Sequence, residues 1–151
     1  PQIFVPREAN TNRPYGSGIV TITPDATFTD PAQLNAIDYV QNLVDELLAT
    51  SSNVVPIKIN VKFGQPFPSG SIASNAVGQT FSKDFTSNDP LFYPLTMYSD
   101  ALANKLAGFD VSPSPASPEG NITILNLGNW YYGKDAHPAS NQLDFVTMLL
   151  H

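Results

Sequence analysis

The chain has 151 residues, the length of one domain, and its seven Lys and Arg against thirteen Asp and Glu give a formal charge of -6. So few cations form no basic patch, which argues against nucleic acid as the main partner, because phosphate binding is built from clustered Lys and Arg. Hydrophobic residues at 42%, with nine Phe, six Tyr and one Trp, supply a core, while no run nears the about 18 apolar residues of a membrane span, and the absence of Cys excludes disulfides, thiolate catalysis and Cys-based zinc sites.

Residues 1–18 read as an extended arm: Pro1, Pro6 and Pro14 break any helix, Gly16-Ser17-Gly18 is a joint, and only Ile3-Phe4-Val5 has strand character. Ile19 to Thr23 is a compact β-branched run closed by Pro24, which predicts a strand. Asp30-Pro31-Ala32-Gln33 is the clearest helix start. Asp30 is the cap, Pro31 suits the first helical position, where an N–H would go unpaired, and Gln33 closes a capping box. Leu34, Ile37, Val40, Val44, Leu47 and Leu48 then recur at helical spacing and leave Asn35, Asp38, Asn42, Asp45 and Glu46 outward, so a long amphipathic helix is predicted over 31–49, stopped by Thr50-Ser51-Ser52-Asn53.

Val55 to Phe63 alternates without a fault, with Val55, Ile57, Ile59, Val61 and Phe63 on one face, as a half-buried strand requires. Residues 64–95 are irregular and rich in Pro, Gly and Ser, with a short candidate strand at Ile72 to Val77. Ser99 to Ala107 predicts a short helix ended by Gly108, and the Pro-rich run from Ser112 to Pro118 predicts an exposed loop of polyproline character. Residues 121–127 form another strand, running into Trp130-Tyr131-Tyr132, and Leu143 to His151 reads as a helix without a stop signal. Together these elements predict an α+β fold, a mixed twisted sheet with one long packed helix, in a domain spanning 19–151 behind the arm.

The composition, mildly acidic and Lys-poor, free of Cys and rich in Ser, Thr and Asn, is that of a secreted or extracellular protein. A first residue Pro1 rather than Met, and a last helix read in mid-course, lead to the expectation that the chain is a processed piece of a longer one.

Most familiar catalytic patterns are missing. There is no G-x-S-x-G elbow, no phosphate-binding Gly loop before Lys-Ser/Thr, and no calcium-loop spacing among the Asp residues. The two histidines remain. His137 precedes Pro138 in a loop and reads as solvated surface, whereas His151 follows the apolar helical segment Asp144-Phe145-Val146-Thr147-Met148-Leu149-Leu150.

That segment carries a resemblance. Asn129-Trp130-Tyr131-Tyr132-Gly133, a short polar loop, and then Gln142 to His151 resemble the approach to the zinc helix of secreted bacterial zincin metallopeptidases, where an aromatic-aromatic-Gly loop leads to an Asp-Phe-Val helix continuing into His-Glu-x-x-His. Val55 to Val61 resembles the family's first sheet strand after its long helix, Leu102-Ala103-Asn104-Lys105-Leu106-Ala107-Gly108 its short helix, and Asn121-Ile122-Thr123-Ile124 its last strand. The likeness covers about residues 30–151, with the last ten positions the most specific.

The resemblance implies the N-terminal subdomain of a zincin and assigns His151 as the first zinc ligand. Histidines at i and i+4 share one helical face and bind zinc together, and the Glu between them polarises the metal-bound water. The Glu, the second His and the third ligand are all absent from these 151 residues, so no zinc and no peptidase activity are expected of the chain alone. The likeness also implies a polypeptide substrate held by strand addition, with Ile72, Ala73, Ser74 and Asn75 as the candidate edge strand. A second reading stays open beside it: a structural subunit of an extracellular assembly or filament, in which a metallopeptidase-like fold self-associates through residues 1–16.

Overall fold

The computed structural model describes residues 19–48, 55–64, 97–111 and 117–151, and the backbone alone at 78–82 and 84–85. The expected arm at 1–18, the stop signal at 50–53, the candidate edge strand at Ile72–Asn75 and the middle of the Pro-rich loop lie outside the described residues. The order is β1 (Val20–Pro24), α1 (Pro31–Leu48), β2 (Ile57–Gly64), β3 (Gly78–Ser82), β4 (Asp84–Phe85), β5 (Tyr98–Ser99), α2 (Asp100–Ala107), β6 (Gly120–Leu125), β7 (Trp130–Tyr131), β8 (Leu143–Asp144) and α3 (Phe145–Leu150). This is a mixed α and β architecture with three helices among the described residues, as the sequence predicts at that level.

Among the described residues four strands form the main sheet in the order β1-β2-β6-β3. β1, β2 and β6 run parallel, with Ile22 opposite Ile59 and Val61 opposite Ile122, and β3 lies antiparallel to β6 at the border. Two parallel neighbours joined through α1 make a βαβ unit, the connection that parallel strands require. The alternation expected of β2 holds in part: Val61 and Phe63 are buried and Ile57 and Ile59, half-buried, pack against the same core, but the strand begins at Ile57, and Val55 lies outside it. Val20 and Ile22 of β1, Ile122 and Ile124 of β6 and the inner face of α1 join them. Of these strand side chains, the fully buried Val61 and Ile124 each contribute about 1.5–3 kcal/mol.

The start of α1 forms as its sequence dictates. Ala32 N–H donates to Asp30 Oδ1 at 2.8 Å, and Asp30 N–H donates in return to Gln33 Oε1 at 3.2 Å, which is a closed capping box. Asp30→Ala is expected to cost about 1 kcal/mol of stability, measured by urea denaturation. A loss within error would show that the cap is replaced by solvent.

The inward face of α1 differs from the predicted one. Ala36, Ile37, Tyr39 and Val40 are buried, but so is Asp45, while Leu47 is 65% exposed and Leu34 and Leu48 are also exposed. Apolar spacing marks which residues avoid water and says nothing of which backbone groups need partners. β1 is a border strand, and its outward N–H groups find acceptors on the helix: Val20 N–H donates to Asp45 Oδ1 and Ile22 N–H to Gln41 Oε1, both at 2.8 Å. One helical turn of four residues rises about 6 Å, and two strand residues rise about 6.6 Å, so positions 41 and 45 match positions 22 and 20.

A second buried polar group ties α2 to the sheet. Glu119, 3% exposed, accepts the Lys58 N–H through Oε2, accepts from Asn104 Nδ2 at 3.4 Å through Oε1, and donates its own N–H to the Lys58 carbonyl at 2.8 Å. Asn104 in turn takes the Val111 N–H on Oδ1 at 2.8 Å. Ser99 caps α2, and Gly108 ends it in the left-handed conformation at φ 77°, its N–H returning to Asn104 O at 2.9 Å. A side chain at that φ would be strained, which is why the helix stops at Gly.

Candidate functional site

The start of α3 is fixed by its sequence. Asp144 sits at its N-cap in an extended conformation and accepts the Thr147 N–H at 3.0 Å. The sequence expectation began this helix at Leu143; Leu143 and Asp144 instead form β8, which pairs in parallel with β7 through Trp130–Leu143 and Tyr131–Asp144. An Asp directly before an apolar run is the signal that marks this start.

Phe145, Val146 and Leu149 turn inward, with Phe145 wholly buried. Its ring lies among four others, with centroids 5.1 Å from Tyr132, 5.8 Å from Trp130 in an edge-on contact, 6.2 Å from Phe63 and 6.3 Å from Phe28. Phe63 belongs to β2, so α3 stands on the same face of the sheet as α1. Trp130 Nε1 donates to the Leu125 carbonyl at 2.9 Å and ties β7 to the end of β6.

With the inward stripe so fixed, Asp144, Thr147, Met148 and His151 occupy the next stripe at spacings of three and four. They line a hollow together with Trp130, Leu143 and Leu150. His151 is the C-cap: its backbone N–H donates to the Thr147 carbonyl at 3.1 Å, and its side chain is exposed. Its imidazole therefore borders a mostly apolar surface with one carboxylate, Asp144, among the lining residues. Among the described residues, no three His, Asp or Glu side chains converge as a metal-holding group.

His137 lies elsewhere, in the loop between β7 and β8. Asp135 organises that loop: its Oδ1 accepts the Tyr131 hydroxyl at 2.5 Å and the His137 N–H at 3.2 Å, and His137 Nδ1 faces the Asp135 carbonyl. Ala136 between them has φ 55°, a conformation that non-Gly residues seldom adopt. Gly133 passes so close to the Tyr131 ring that a Cβ there would overlap it, so the aromatic-aromatic-Gly sequence has a local steric reason. The loop is held to α1 by Gln33 Nε2, which donates to the Tyr132 hydroxyl at 3.2 Å, and by Lys134, whose Nζ sits 5.2 Å from the Tyr39 ring centroid.

The hydrogen bond to Tyr131 is the first cause that holds the Asp135 carboxyl below its ordinary range, and the same bond is the first cause that raises the Tyr131 phenol above its own, aided by burial and the charges of Asp135 and Asp144. The pair joins an ionised carboxylate to a neutral phenol. It supports the loop fully at pH values between the two ordinary ranges, is lost on acidification as pH falls through the lowered Asp135 value, and is lost on alkalinisation as pH rises through the raised Tyr131 value. Asp135→Asn is expected to bring the Tyr131 phenol back toward its ordinary titration range, read from its ring resonances by NMR; an unmoved midpoint would refute the pairing in solution.

Comparison of the chain with protein-family models, with curated proteins and with solved structures gives no match. No helix among the described residues is long and apolar enough to cross a membrane.

Proposed function

We propose that this chain is the front portion of a secreted zinc metallopeptidase-like domain in which His151 is the first protein ligand to zinc. The observation that supports it best is the placement of His151 at the end of a helix whose inward stripe is locked by Phe145, so that the His stripe faces a hollow instead of the core. The sheet adds a second support. Among the described residues β3 is an antiparallel border strand on an otherwise parallel sheet, and the candidate substrate edge at Ile72–Asn75 lies shortly before it in the sequence. A border strand offers backbone groups to an extended polypeptide.

In this reading the 151 residues supply one of the zinc ligands. His151 is one imidazole, and a complete set of protein ligands supplies the about 10–16 kcal/mol of a structural zinc site. In this reading, catalysis depends on a Glu and on two further ligands that these 151 residues do not supply in the His-Glu-x-x-His spacing.

The test is elemental analysis and peptide hydrolysis on the protein extended through the His-Glu-x-x-His helix. One zinc per chain and chelator-sensitive hydrolysis are expected, both lost on His151→Ala, with substoichiometric zinc in the 151-residue chain. Full zinc and unchanged hydrolysis in the His151→Ala protein would overturn the assignment. One tightly held zinc in the 151-residue chain would point to other ligands, His137 first.

A further inference from the structure

We draw no further inference here: the strongest candidate, the apolar hollow between α3 and the β7–β8 pair, belongs to the site already described, and nothing among the described residues shows what covers it.

Discussion

Phe145→Ala is expected to lower the unfolding free energy by about 3–5 kcal/mol, the range for deleting a buried aromatic ring from a core. The ring is 0% exposed and touches Phe28, Phe63, Trp130 and Tyr132, which come from three separate segments of the chain. None of those neighbours can fill the space without leaving its own contacts, so little relaxation offsets the loss. Trp130 is 6% exposed and lies edge-on to Phe145, so its fluorescence reports the same event. Urea denaturation followed at that Trp is the measurement. Leu47→Ala, at a position 65% exposed on α1, serves as the contrast and should change stability by less than about 0.5 kcal/mol. Equal losses at the two positions would show that the core is not organised around Phe145.

The next largest effect is expected at Glu119. Glu119→Ala removes both carboxylate acceptors and leaves the Lys58 N–H and Asn104 Nδ2 without the partners they have now. Stranding a buried donor costs about 1–3 kcal/mol, so a total near 3 kcal/mol is expected. Glu119→Gln keeps an acceptor at one position and should recover about half of it. The readout is chemical denaturation together with amide exchange at Lys58, which should quicken in the Ala variant. If Ala and Gln behave alike, the acceptor that Gln keeps adds nothing, and the loss is not set by the stranded donors.

The difference between these two residues shows what the sequence makes legible. The cap of α1, the alternation of β2 and the Gly108 stop are local: the residues that cause them lie within a turn or a strand of the effect. The first of them is legible with its partner, Gln33 closing on Asp30. Asp45 and Glu119 act across 25 and 61 residues, on Val20 and Lys58. Helical spacing placed Asp45 outward because it counts charge as a mark of solvent, and nothing local records that a border strand will need its carboxylate. Leu47 and Leu48 fail for the converse reason: they follow Asp45, which bonds the first residue of β1, and among the described residues they stay exposed.

The candidate site divides in the same way. A helix with His151 at its end was legible from the apolar run, but the short β7–β8 pair that walls the hollow was not. Its strands are two residues each, run parallel, and are separated by eleven residues whose turn is set by Asp135. Two-residue strands leave no periodicity to read.

Gln41 and Asp45 give the sheet a polarity of growth. By occupying Val20 N–H and Ile22 N–H, α1 stands where another strand would lie, so that border is finished within the domain. No described strand continues the sheet beyond β3. Among the described residues, a further extended segment has only the β3 side of this sheet to pair with. An unpaired border strand is where sheets add further strands, so charged substitutions on β3 are the ones expected to lower self-association of the folded domain.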